Sequence, residues 1–95
     1  MGLMKIEKEN IIKLTGSLDS TNVSEVEEQL GEILKEQKSL VIDLNELETL
    51  DISGIFMLFS FKQRALKENK SIEYLLSSSK VISGNVLGIN MPSII

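Results

Sequence analysis

The stretch LETLDISGIFMLF, Leu47–Phe59, passes from polar residues through Asp-Ile-Ser-Gly into a run that is almost free of charge. Such a change is typical of the start of an apolar helix. Ser53 stands where an N-cap is expected, with a hydroxyl that accepts a hydrogen bond from an N–H group lacking a partner inside the helix. The pattern therefore predicts a helix that begins near Ser53 and ends near Asn69.

Strands are predicted on both sides of this helix. The segment SLVIDL, residues 39–44, is a nearly continuous apolar strand, which is typical of the middle of a parallel sheet. The segment SIEYLL, residues 71–76, is a second strand after the helix. Residues 4–15 are predicted to form two short strands with a turn at Asn10, and NELETLD, residues 45–51, a polar connection.

An amphipathic helix is predicted from Val23 to Gln37, because apolar residues recur there at intervals of three and four. Asn22 and Glu25 have the spacing of a capping box at its start. A short third helix is predicted within residues 77–89. The order β β α β α β α predicts an α/β fold, a small mixed, mostly parallel four-stranded sheet covered by about three helices.

Size and composition limit the classes of function. The 95 residues fit a single domain, residues 1–95, in which residues 1–3 and 92–95 are expected to be loose ends. The chain has no cysteine and no histidine, so we predict no metal site and no cofactor. An enzyme is disfavoured because Ser53 has neither a histidine nor a Ser-x-x-Lys spacing to activate it.

Charge and hydropathy limit the partners. The net charge is −4 and the ten Lys and Arg residues are scattered, which disfavours nucleic acid as a partner. No apolar run reaches the roughly 18 residues of a membrane span, and the first ten residues lack the apolar region of a signal peptide. We therefore predict a cytoplasmic protein without direct membrane insertion.

Two roles for the Ser53 hydroxyl remain open from the residues alone. As an N-cap it stabilises the helix by about 1 kcal/mol. As a phosphorylation site it would gain about −1.5 to −2 charges where the helix dipole favours an anion, and Gly54 is expected to leave the backbone open to a kinase. Asp51 and Asp19 both follow strands, at the edge where open α/β sheets bind ligands, so we expect them to share one surface.

The predicted second helix has more apolar surface than one face can bury. At 100° per residue, five of its side chains share one side and are expected to be core: Ile55, Leu58, Phe59, Ala65 and Leu66. Phe56 points away from that side and Met57 lies nearly opposite. Either the helix is covered on both flanks, or Phe56 and Met57 form an exposed patch beside Ser53 that marks a protein interface.

These residues together resemble a STAS domain, and most closely the small single-domain proteins of the bacterial anti-sigma factor antagonist type. The similar segments are GSLDSTNVSEVEEQL, SLVIDLNELETLDISGIFML and LGI near the end, within about residues 4–91. The Asp-x-Ser-Gly motif after the VIDL strand is the most specific part. In that family the serine of this motif is phosphorylated by a partner that is both kinase and anti-sigma factor, which implies phosphorylation of Ser53.

The resemblance implies a partner-switching role. The unphosphorylated chain would bind an anti-sigma factor/serine kinase with an ATP-binding fold, phosphorylation would break the contact, and a phosphatase would restore it. The expected partner-binding residues are Asp19, Ser20, Asp51, Ile52, Gly54, Phe56 and Met57. Two alternatives stay open: a homodimer through the Phe56 region, and a constitutive accessory subunit of a membrane transport ATPase complex without phosphorylation, as some STAS proteins are.

Overall fold

The computed structural model describes residues 4–76 and has four strands and two helices in that range. In chain order these are β1 (Met4–Lys8), β2 (Ile11–Leu18), α1 (Val23–Lys35), β3 (Ser39–Leu50), α2 (Ile52–Lys67) and β4 (Ser71–Leu75). The predicted third helix and the two expected loose ends lie outside the described residues.

The four strands form one sheet in the order β1-β2-β3-β4. β1 runs antiparallel to β2, while the β2–β3 and β3–β4 pairs are parallel. Each parallel pair is joined by a helix, as strands alternating with amphipathic segments require. The predicted α/β fold with a mixed, mostly parallel four-stranded sheet is therefore confirmed, with two helices in the described part of the chain.

Both helices pack on the same face of the sheet. The β2–α1–β3 and β3–α2–β4 connections both step in the same direction across the sheet. Because such connections share the same right-handedness, their helices lie on the same side of the sheet. The helices contact each other and share a single core with the apolar face of the strands. The helical side chains buried in this core include Val26, Leu30 and Leu34 of α1 and Leu58, Phe61 and Ala65 of α2.

β3 is twice as long as predicted, because residues 45–50 continue the strand instead of forming a polar connection. Its buried leucines Leu44, Leu47 and Leu50 are three residues apart, not two. The register against β2 shifts twice, and at each shift β3 contains one extra residue. Each bulge turns the next leucine back into the core. Because the buried residues are then three apart, residues 45–50 lack the alternation of apolar and polar residues that predicts a strand.

β2 also extends further than predicted. It continues through Gly16 to Leu18, whose side chain is fully buried. Gly16 has φ of 80° and pairs with Leu47, next to the second register shift. This left-handed conformation suits glycine and lets the strand follow its bulged neighbour instead of ending there.

The C-terminal end of α2 is closed by backbone and side-chain hydrogen bonds. Asn69 adopts φ of 61°, the Lys70 N–H donates to the Ala65 carbonyl at 2.8 Å, and the Asn69 N–H donates to the carbonyl of residue 66 at 3.1 Å. This is the Schellman arrangement with asparagine at the left-handed position. The Lys70 Nζ donates to the Leu34 carbonyl at 2.6 Å, which ties the end of α1 to the end of α2.

We predict that Leu47→Ala lowers the free energy of unfolding by about 2 to 5 kcal/mol, because it leaves a cavity in place of a fully buried side chain. The neighbouring Glu48 is exposed, so Glu48→Ala is the matched control and should change it by no more than about 0.5 kcal/mol. Urea unfolding of both variants measures the difference. Equal effects would mean that residues 45–50 form a surface connection and not a buried strand.

Candidate functional site

The carboxyl ends of β2 and β3 lie side by side and lead into the two loops that carry the predicted site. Leu18 pairs with Leu50, and the Asp51 N–H donates to the Leu18 carbonyl at 3.2 Å. Asp19 follows Leu18 directly in the chain. The structure therefore places the Asp19 loop and the start of α2 at the same end of the sheet, the edge where open α/β sheets bind ligands.

Asp51, not Ser53, is the N-cap of α2. Asp51 has an extended backbone, and its Oδ1 accepts a hydrogen bond from the Gly54 N–H at 3.1 Å. The Asp51 carbonyl accepts the first helical bond, from the Ile55 N–H at 3.1 Å. The predicted cap at Ser53 was therefore wrong. A carboxylate two residues earlier makes a charge-assisted bond to the helix start and is also favoured there by the helix dipole.

Ser53 is the second residue of α2 and is half-buried. At this position its own N–H group belongs to the first helical turn and has no partner within the helix. Because Asp51 provides the cap, the Ser53 hydroxyl is not needed to start the helix. The hydrogen bond that caps the helix therefore does not involve the Ser53 side chain.

Gly54 is required by a close approach between α2 and the ends of two strands. A Cβ atom at this position would lie 2.5 Å from Leu50 Cδ1 and 3.0 Å from the Leu18 carbonyl oxygen. A side chain at this position would therefore require the Leu50 and Leu18 side chains to shift or the helix to move outward. The expectation that Gly54 opens the backbone to a kinase was wrong, since Gly54 is buried against the strands, and we leave it out of the contact surface.

The Asp19 loop is shaped by its own side chains. The Asp19 carboxylate accepts hydrogen bonds from the Thr21 N–H at 2.9 Å and the Thr21 hydroxyl at 2.5 Å. The bond from the Thr21 hydroxyl has the larger effect and the bond from the Thr21 N–H the smaller one, and both lower the pKa of Asp19. The Asp19 side chain is therefore an ionised carboxylate at neutral pH. The loop therefore presents a fixed negative charge beside the start of α2.

Asn22 fastens this loop and does not form the predicted capping box with Glu25. Its Oδ1 accepts from the Asp19 N–H at 3.0 Å, and its Nδ2 donates to the Ser17 carbonyl at 2.7 Å. No side-chain hydrogen bond caps α1. The capping prediction was wrong because the asparagine amide satisfies two groups of the loop instead of one at the helix start.

The exposed side of α2 differs from the predicted one. Of the two alternatives for Met57, a covered flank or an exposed patch, the structure shows the first: Met57 is only 6% exposed and belongs to the core, so it is not part of the contact surface. The expectation that Phe59 and Leu66 belong to the core is wrong, because both are exposed. The buried arc is rotated because Gly54 and Phe61 face the sheet. Phe56 is 62% exposed, as its position on the helix predicts.

Six of the predicted site residues are at least partly exposed and lie in the Asp19 loop or at the start of α2, at the same end of the sheet. We call this set the helix-head surface; it consists of Asp19, Ser20, Asp51, Ile52, Ser53 and Phe56. It combines two carboxylates, hydroxyl groups and two exposed apolar side chains. Within residues 4–76 no group of acidic side chains is arranged to hold a metal ion, and no helix of that range is long and apolar enough to span a membrane.

We predict that Asp51→Ala lowers the free energy of unfolding by about 1 kcal/mol, because the Gly54 N–H loses its acceptor. Asp51→Asn keeps an acceptor at the same position and should retain most of the stability. Ser53→Ala should change the free energy of unfolding by less than about 0.5 kcal/mol. Urea unfolding compares the three variants, and a larger loss for Ser53→Ala than for Asp51→Ala would contradict the assigned cap.

Comparison with solved structures agrees with this fold. The crystal structure of Mglu superposes with a TM-score of 0.67 at 14% identity, over 82% of this chain and 20% of that one, so the chain spans about a fifth of Mglu. An anti-sigma factor antagonist from Mycobacterium paratuberculosis gives 0.66 at 14% identity, over 96% and 89% of the two chains. The anti-sigma factor antagonist SpoIIAA in its unphosphorylated form gives 0.60 at 18% identity, over 82% and 71%.

Sequence comparison gives the family. No curated protein sequence matches the chain significantly. The family model described as "Mlab, STAS domain" matches residues 2–82, which is well over half of the chain. The described fold, a mixed four-stranded sheet with both helices on one face, is the fold of the solved structures above. The chain therefore belongs to the STAS domain family.

Proposed function

We propose that the chain is a regulatory module like the anti-sigma factor antagonists. In its unphosphorylated form it binds an anti-sigma factor/serine kinase with an ATP-binding fold, and phosphorylation of Ser53 switches this binding off. A phosphatase restores the binding form. The chain has no catalytic role in this scheme and works in the cytoplasm. The shared fold with two anti-sigma factor antagonists supports the proposal.

The observation that carries the proposal is the position of Ser53 in the first turn of α2. The cap is made by Asp51, and the N–H groups of a first helical turn favour a bound anion. α2 has no acidic residue in its first turn, so the carboxylate of the N-cap Asp51 is the one acidic group at the helix start. A kinase can therefore add a phosphate that the helix start tolerates.

The phosphate would act on the surface and not on the fold. It would add about −1.5 to −2 charges next to the Asp51 carboxylate and near the Asp19 loop. Ile52 and Phe56 lie beside it and are exposed apolar contacts for a partner. Burying a dianion between them and a bound protein costs several kcal/mol unless the partner supplies a matching cation. Loss of the partner is the expected consequence.

A second function is supported by the apolar surface of α2. Phe56, Phe59 and Leu66 are large exposed side chains on one helix, and a lasting interface would cover them better than a transient one. This favours the alternative of a constitutive accessory subunit of a membrane transport ATPase complex. A homodimer through the Phe56 region would cover part of the same surface.

We predict that Ser53→Glu recovers about tenfold less of the kinase than wild type or Ser53→Ala when each tagged chain is purified from its native cell. Ser71→Glu is the matched control, because Ser71 is an exposed serine at the start of β4, at the opposite end of the sheet from Ser53, and should leave the recovery of the kinase unchanged. Mass spectrometry of the purified wild type should detect phosphate on Ser53.

Two results would decide against the switch. One is equal recovery of the kinase by wild type and Ser53→Glu. The other is an absence of phosphate on Ser53 together with a transport ATPase complex that copurifies equally with every variant. The second result would support the accessory-subunit function instead.

A further inference from the structure

Five residues of α2 repeat at the spacing of a coiled-coil seam. They follow one another at intervals of four, three, four and three and are named here the α2 seam: Ile52, Phe56, Phe59, Gln63 and Leu66. All five are exposed. At 100° per residue they fall within about 80° of one another, opposite the buried Phe61. The seam spans the helix over about 21 Å.

The length of the seam separates it from scattered exposed residues. Phe56 is 62% and Leu66 is 53% exposed, although they are ten residues apart on the helix. An apolar stripe with a heptad spacing is what one helix presents to another helix, whose side chains fit between its own. The regular spacing therefore indicates a helical occupant.

The charges of α2 indicate the charge of that occupant. Residues 52–67 contain Lys62, Arg64 and Lys67 and no acidic residue, whereas the whole chain has a net charge of −4. Lys62 lies on one side of the seam and Lys67 on the other, at the flanking positions that determine partner choice in coiled coils. A helix with acidic flanking residues complements this surface.

The same charges disfavour two other occupants. A second copy of α2 would bring Lys62 and Lys67 against the same two lysines, with no acidic residue within residues 52–67 of either helix. A lipid surface would leave the Gln63 amide facing apolar chains, whereas one polar residue within a helix–helix seam is a common way to fix the register. The observations thus favour a protein helix over both.

We propose that the α2 seam binds an amphipathic helix of a partner protein whose flanking residues are acidic. The inference rests on the proposed function in that the chain acts by binding a protein, and it adds the chemistry of the bound segment. Ser53 follows Ile52 and lies at the edge of the seam, about 60° around the helix from Phe56. A phosphate there would face the partner helix at its acidic edge and weaken the contact by repulsion.

The test uses two synthetic peptides of about four heptads, each with leucine at the seam positions. The acidic probe has glutamate at the flanking positions and the basic probe has lysine. Each is titrated into the full-length, isotope-labelled chain and followed by NMR. We predict that the acidic probe shifts the amide signals of α2 and binds about tenfold more tightly than the basic probe.

Variants distinguish binding at the α2 seam from nonspecific binding to exposed apolar side chains. Lys62→Glu/Lys67→Glu should reverse the preference, so that the basic probe binds more tightly. Phe56→Ser should weaken the acidic probe about tenfold. Ile6→Ser is the matched control, because Ile6 on β1 is 63% exposed, as apolar and as accessible as Phe56 but far from the seam along the sheet order. It should leave binding unchanged.

Several outcomes would overturn the inference. These are equal binding of the two probes, shifts outside α2, stronger binding to phosphatidylglycerol vesicles than to the acidic probe, or a dimer of the free chain in sedimentation that is lost in Phe56→Ser. Ser53→Glu distinguishes this inference from the switch. If the acidic probe binds the seam equally well in wild type and Ser53→Glu, the seam stands and the effect of phosphorylation on it is contradicted.

Discussion

The close contact between Gly54 and the ends of β2 and β3 determines how the rest of the site is arranged. There is no room for a Cβ atom between Gly54, the Leu18 carbonyl and the Leu50 side chain, so the first turn of α2 lies directly on the strand ends. This contact fixes the start of the helix, and Asp51 then caps it. Ser53 lies half-buried in the first turn, and its side chain does not cap the helix.

The order of strands and helices could be predicted from the sequence, but the length of β3 could not. The apolar run of residues 39–44 is typical of a buried strand and forms the first half of β3. After Leu44 the buried side chains are three residues apart, because two bulges interrupt the pairing with β2. The bulges depend on the neighbouring strand, including the left-handed Gly16, and an alternation pattern within β3 alone does not contain them.

The site was located by its Asp-x-Ser-Gly motif, whereas its details depend on tertiary contacts. Asp51 and Ser53 are both common N-caps, and the sequence alone does not choose between them. The buried side of α2 is set by where Gly54 meets the sheet, which explains why Met57 is core and Phe59 is exposed. The four-three spacing of the α2 seam was present in the sequence, but only the observed exposure of its residues separates it from a core stripe.

α2 is also held firmly along its length, so that a modification at its start should change the surface without moving the helix. The Tyr74 hydroxyl donates to the Leu58 carbonyl at 2.7 Å, and burial raises the pKa of Tyr74, so this donor stays protonated at physiological pH.

The most direct test of the account is to incorporate phosphoserine at position 53 and measure both urea unfolding and affinity for the copurified kinase. The account predicts a free energy of unfolding within about 1 kcal/mol of the unmodified chain, together with a large loss of affinity. Unchanged affinity, or an unfolded phosphorylated chain, would contradict it.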